Sequence, residues 1–260
     1  MRIRNWSIVA IVMLVAAGTA FAANNPWVGT WKMDAAQSKL TGDTIHFASG
    51  ADGEMTYTEE GHVLKFKMDG QPYKTYSGAE ATWKKIDDNT FEEKLKRNGY
   101  DLATVTWKVS PDGKSLNVES KGTNPNGSSF DNTEQHVRVS GTTGLLGSWK
   151  STKAKISDPQ SYEISDAGPD ALQWDIPAIK GKLHATLDGK DNAPDGPTVP
   201  KGLTIALTRV SPNVLKMTEK INGEVITHST MTLSPDGKKI TEVVMPAKEK
   251  VSYTEVWLKQ

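Results

Sequence analysis

Two glutamates are the residues whose type and placement could do chemistry. Glu93 lies in the alternating run Phe91-Glu92-Glu93-Lys94-Leu95, and Glu219 in Met217-Thr218-Glu219-Lys220-Ile221. A period of two puts Glu93 on the face of Phe91 and Leu95, and Glu219 on the face of Met217 and Ile221. A carboxylate inside an apolar shell is costly unless paired. There it orients the polar end of a ligand or, with its pKa raised, serves as a general base. The plainer expectation is that both sit near an opening and reach water, because long acidic side chains are rarely fully buried. They also take non-equivalent places in the internal repeat described below. Glu93 aligns with Met217 and Glu219 with Leu95, a shift that a duplicated catalytic site would not show.

Other chemistry is thinly represented. His46, His62, His136, His184 and His228 lie outside metal-ligand spacing of one another, and the repeat alignment brings none onto another. They read as structural or surface residues. The chain has no cysteine, which excludes thiol catalysis, thiolate metal sites, disulfides and a lipid-anchored N-terminus. Nucleophile elbow, phosphate loop and dinucleotide fingerprint are all missing. Lysine plus arginine equal aspartate plus glutamate at 31 each, so no basic face invites nucleic acid. These observations predict a protein that is not an enzyme, with no cofactor, no metal and no nucleic-acid partner.

The elements that must position these residues come from a duplication. Val28-Gly29-Thr30-Trp31-Lys32 returns as Leu146-Gly147-Ser148-Trp149-Lys150. Asn98-Gly99 and Ser110-Pro111-Asp112-Gly113-Lys114 return, at the same separation, as Asn222-Gly223 and Ser234-Pro235-Asp236-Gly237-Lys238. Ahead of the first repeat, Arg2 and Arg4, the apolar run Ile8 to Ala17 and Ala20-Phe21-Ala22 read as a cleaved export signal over 1–22. The apolar run falls short of the ~20 residues that span a bilayer. No later segment is apolar enough to span either. We therefore expect a periplasmic or secreted protein, a monomer without a membrane segment after cleavage. The Gly/Thr stretch Ser140 to Gly144 marks the boundary, giving domains over 23–140 and 141–260, each beginning at its own Gly-x-Trp strand.

Within each half the period is two. Ala103, Val105, Trp107 and Val109 alternate with polar residues, as do Leu172, Trp174 and Ile176. Turn pairs such as Asp69-Gly70, Asn126-Gly127 and Asp188-Gly189 recur at short intervals, and no convincing amphipathic helix follows the signal. Many short strands joined by hairpins predict an all-β chain of two tandem antiparallel barrels or sandwiches. For the Asn98-Gly99 hairpin we expect a three-residue loop pairing Arg97 with Asp101. That register puts Phe91 and Leu95 on the face of Ala103, Val105 and Trp107. In the second repeat it joins Leu215, Met217 and Ile221 to Val225, Met231 and Leu233. Asp188 to Lys201 reads as a loop over one end of the second barrel, either a lid or an ordered connection.

Gly-x-Trp on a first strand lets the chain bend across the end of a barrel while the indole plugs its floor. With the strand-rich length and the Ser-Pro-Asp-Gly-Lys hairpin, the chain resembles the lipocalin-like domains of exported bacterial proteins, one domain per half. The resemblance implies up-and-down barrels whose interiors hold a small apolar ligand. Lipocalins also carry a late arginine that packs over the Trp. Arg138 is the one counterpart, yet alternation sets it against Val137 and Val139, and the end of the second repeat around Val256 and Trp257 has no arginine. On this reading Trp83, Phe91, Glu93 and Trp107 form an aromatic wall with one polar handle. Met217, Glu219 and Met231 take the inner face of the second barrel. The first interior is expected to be dry and aromatic, the second smaller and more polar. The function expected is binding of a small, mainly apolar molecule. The alternative is a structural or interaction module of the cell envelope with packed barrels.

Overall fold

The computed structural model describes residues 25–157 and 160–260. The expected export signal and its cleavage site lie outside the described residues. The first strand is β1 (Gly29–Met33). It is followed by β2 (Thr44–Ser49), β3 (Met55–Glu59), β4 (His62–Phe66), β5 (Asp69–Lys74) and β6 (Glu80–Lys85). Next come β7 (Thr90–Arg97), β8 (Tyr100–Val109), β9 (Ser115–Thr123), β10 (Ser129–Ser140) and β11 (Gly147–Lys155). The remainder is β12 (Ser161–Asp166), β13 (Ala171–Ile176), β14 (Gly181–Thr186), β15 (Asp188–Asn192), β16 (Leu203–Ser211), β17 (Val214–Ile221), β18 (Glu224–Leu233), β19 (Lys239–Pro246) and β20 (Tyr253–Lys259). They form two ten-stranded antiparallel sheets, each curled into a nearly closed up-and-down barrel. Ten strands per barrel is two more than the eight of a lipocalin barrel.

The sheets do not divide at residue 140. The first barrel runs from β2 to β11, so it contains the second Gly-x-Trp strand. The second barrel runs from β12 to β20 and is completed by β1, which pairs with β12 and β20. The two opening strands have changed places, and the expectation that each barrel begins at its own Gly-x-Trp strand is corrected. Two crossings carry the exchange. In the first, Lys39 bridges to Thr254 on β20, and the chain then reaches β11, where the Ser151 N–H donates to the Asp43 carbonyl at 3.0 Å. In the second, the chain leaves β11 for β12, and the Met33 N–H donates to Gln160.

The exchange explains the basic residue that closes each barrel. Arg138 sits opposite Trp149 on β11, with its guanidinium 3.9 Å from the ring centroid. It donates to the carbonyls of Gly113, Leu146 and Gly144. In the other barrel Lys259 sits opposite Trp31, its ammonium 5.1 Å from the ring, and donates to Pro26. So a cation does pack over each Trp. The partner is the other repeat's Trp, and one of the cations is a lysine. Both indoles are fully buried and donate four residues back, Trp31 to Trp27 and Trp149 to Leu145. Gly147 has φ +113°, and a Cβ there would collide with the backbone of Ser140, which is why the motif needs glycine.

The hairpin faces come out as expected by a different route. Asn98 and Gly99 both have positive φ, 51° and 82°, and form a two-residue loop that pairs Arg97 with Tyr100. Such a turn matches the strand twist. A bulge at Leu102 then absorbs the odd residue, so that Leu95 still faces Ala103 and Phe91 faces Trp107. The second repeat repeats this with Asn222-Gly223 and a bulge at Ile226. That bulge pairs Val225 with Lys220 and removes Val225 from the inner set. Asp188–Asn192 is the edge strand β15, and the loop after it is packed: Thr198, Val199 and Pro200 are buried.

The barrels meet end to end at matching ends. Gly61 packs against Lys248, the Asn126 N–H donates to Ala178, and Asn98 Nδ2 donates to Pro197 at 3.0 Å. Arg97, buried between the barrels, donates from Nη1 to the Thr198 carbonyl at 3.0 Å and from Nη2 to Ser77 Oγ at 2.8 Å. The loop expected to be a lid or a connection is an ordered connection that docks one barrel on the other.

Candidate functional site

Each barrel keeps a small cavity near the end that faces its neighbour. In the first barrel the inner positions of β7 and β8 bring Glu93 between Trp83 and Val105, and Phe91 opposite Trp107. Trp83 is fully buried, which decides its face. It packs on Phe66 at 4.5 Å and on Trp107 at 5.5 Å between ring centroids, and Phe47 and Tyr57 complete the cluster against Trp107. Of the four expected wall residues, Glu93 and Trp107 line the cavity. Trp83 and Phe91 are filled core. The cavity measures about 80 Å³ and extends past Tyr57, Glu59 and Ser77 to His62 and Tyr76, whose rings stack at 3.8 Å.

Glu93 is buried. It is 6% exposed, and burial pushes its carboxyl up to about 7, with the indole N–H of Trp107 working in the other direction. Where a glutamate reaching water was expected, the side chain is buried in the lining of the cavity. Glu219, 7% exposed, is likewise buried. A carboxyl that titrates near neutrality is what acid–base chemistry requires. It also donates a hydrogen bond when protonated. The first interior is thus aromatic, as expected, but carries a buried polar group. Tyr57 is pushed well up by burial and by the neighbouring charges of Glu59, Glu93 and Glu134.

The second cavity, about 70 Å³, is lined by the three residues expected there, Met217, Glu219 and Met231. Tyr162, Trp174 and Trp257 join them, together with two further buried glutamates, Glu242 and Glu255. Glu242 and Glu255 are direct cross-strand neighbours on β19 and β20. The second interior is aromatic too, though less so than the first, whose cluster holds Phe47, Tyr57, Phe66, Trp83, Phe91, Trp107 and Trp149. The second barrel's five rings Trp27, Trp31, Tyr162, Trp174 and Trp257 are all buried in one apolar cluster. Burial, then Glu242 and Glu255, push the Tyr162 phenol well up, so it stays a neutral hydroxyl.

Sequence reasoning missed Glu134 and Glu255, and a signal for them exists. Thr133-Glu134-Gln135-His136-Val137-Arg138 and Thr254-Glu255-Val256-Trp257-Leu258-Lys259 are the same strand in the two repeats, ending on the cation that covers a Trp. Unlike Glu93 and Glu219, this carboxylate is duplicated in place. In the first barrel its neighbour is the buried His136, whose Nε2 lies 3.2 Å from Glu134. Tyr57 in the first cavity, and Tyr162, Trp174 and Glu242 in the second, carry no motif and reach their cavities only through the curling of each sheet.

Among the described residues no group of three or more histidines, aspartates or glutamates is arranged to hold a metal ion. No helix among them is long and apolar enough to cross a membrane. Compared with protein families, with curated proteins and with solved structures, the chain matches none.

Proposed function

We propose that this is an exported, non-enzymatic binding protein of lipocalin-like type, whose barrels hold small, mainly apolar molecules in the periplasm or outside the cell. The observation that carries the reading is the pair of cavities, each walled by aromatic and aliphatic side chains with a buried carboxyl inside. An apolar enclosure with a few convergent polar groups is the usual form of a small-molecule site. At 80 and 70 Å³ they are well below the ~300 Å³ at which drug-sized sites begin. The ligands are therefore molecules of a few non-hydrogen atoms, or larger ones with one end inserted.

The same small volumes favour a second reading, a structural or interaction module of the envelope with packed barrels and its function on the surface. Native mass spectrometry of the protein purified from its own host separates the two. A reproducible small adduct, lost when Met231→Trp fills the second cavity, supports binding. Bare protein that also takes up no small alcohol or hydrocarbon on titration supports the packed module. The value near 7 at Glu93 favours an acid–base enzyme. That reading requires turnover of a ligand so identified, lost in Glu93→Gln.

A further inference from the structure

The second cavity is bordered by two hydrogen-bond donors that the fold leaves without acceptors. Tyr162 on β12 and Trp257 on β20 both line it, at 6% and 3% exposure, and their ring centroids lie 4.5 Å apart. Neither the Tyr162 hydroxyl nor the Trp257 indole nitrogen has a hydrogen-bond partner among the described residues. Away from the cavities the fold does supply acceptors: the indoles of Trp27, Trp31 and Trp149 each donate to a backbone carbonyl. One unpartnered indole is no sign of a ligand, since that of Trp83 lies in filled core. Two unpartnered donors on one cavity are such a sign, because buried polar groups are normally completed by a partner. Much of the remaining wall is aliphatic or thioether, including Leu183, Leu207, Met217 and Met231. Glu219, Glu242 and Glu255 also line it and have interactions of their own.

We propose that the second barrel binds small uncharged carbonyl compounds, short ketones or esters, whose oxygen accepts from the Tyr162 hydroxyl and the Trp257 N–H while the alkyl groups pack on Leu207, Met217 and Met231. A carbonyl oxygen has two lone pairs and no hydrogen, so it completes two donors and brings none of its own. A water or an alcohol accepts as well, but adds hydrogens that need further acceptors in this apolar wall. A hydrocarbon leaves both donors bare, and a charged ligand loses its hydration inside the enclosure. Burial, then Glu242 and Glu255, hold the Tyr162 phenol well above its ordinary range, so its proton is there to donate at neutral pH. The inference rests on the binding reading above and adds the class of ligand.

The test titrates the full mature chain with butanone and with its methylene analogue, a hydrocarbon of the same shape in which CH₂ replaces the carbonyl oxygen. The readout is NMR of ¹³C-methyl-labelled methionines. Butanone should move the Met217 and Met231 signals and leave Met55 of the first barrel in place. Tyr162→Phe should weaken butanone roughly fivefold and keep the hydrocarbon within about twofold, which also reports that the cavity is still folded. Affinities for the two probes that change together in Tyr162→Phe, or that do not change, overturn the carbonyl proposal and leave the binding function standing. So does a response to butanone at Met55 equal to that at Met217. Should Tyr162→Phe fail to fold, the infrared carbonyl stretch of butanone bound to the wild-type protein decides: hydrogen bonding lowers it from its value in hexane, and an unshifted band overturns the proposal. If neither probe moves any methionine, both readings fall.

Discussion

Replacing Glu93 by Gln isolates the consequence of burying that carboxyl. Burial raises it from 4.5 to about 7 in the folded protein, while the unfolded chain keeps the ordinary value. Between those values the native state holds a proton that the unfolded chain has released. The protonated carboxyl's contribution is therefore complete below pH 4.5 and is lost as pH rises through 7. At about 1.36 kcal/mol per pH unit, the gap amounts to about 3 kcal/mol. Glutamine keeps the shape and has nothing to ionise. Stability of Glu93→Gln relative to wild type should rise by about 3 kcal/mol between pH 4.5 and pH 8.5 and then level off. His62, whose pKa is lowered by burial and by Lys248, acts in the opposite sense. It costs stability as pH falls below its ordinary value, but it is common to both proteins and cancels in the difference. Urea unfolding followed by tryptophan fluorescence across this range, with matched m values, gives the difference curve. A flat curve would refute the argument, because it would mean that Glu93 ionises as easily inside the barrel as outside.

Three further outcomes are expected. Trp107→Ala, at a residue 1% exposed and packed on Trp83, Phe47 and Tyr57, should cost about 3–5 kcal/mol in urea unfolding; a loss under about 1 kcal/mol would mean that the indole only borders open space. Arg138→Met should cost about 2 kcal/mol, since three carbonyls lose a charged donor, and Arg138→Lys should recover part of it; an unchanged urea midpoint for Arg138→Met would show that the cation over Trp149 contributes nothing. Because the opening strands are exchanged, a fragment over 44–155 should fold on its own with a cooperative thermal transition by circular dichroism, whereas 25–140, which lacks β11, should not; the reverse result would mean that β1 serves either barrel equally well.

Much of this molecule is legible in the chain because it depends on neighbours in sequence. The two-residue period marks strands, the Asn-Gly and Asp-Gly pairs mark their turns, and the face shared by Phe91, Leu95, Val105 and Trp107 follows from alternation alone. The duplication is visible as repeated words. Even the route by which Leu95 meets Ala103 was nearly in reach, since Asn98-Gly99 is a two-residue-turn signature and only the bulge at Leu102 is silent.

What the tertiary structure alone decided is which strands are partners. Gly29-Thr30-Trp31-Lys32 and Gly147-Ser148-Trp149-Lys150 are nearly interchangeable, and a backbone ladder carries no code for its neighbour. The choice falls to contacts far apart in sequence: Lys39 on Thr254, Asp43 on Ser151, Arg138 over Trp149 and Lys259 over Trp31. The cavity residues follow the same rule. Alternation puts Glu219 on an inner face, but nothing in the sequence joins it to Glu242 and Glu255; they line one cavity only because the curling of the sheet turns three separate strands toward the same space.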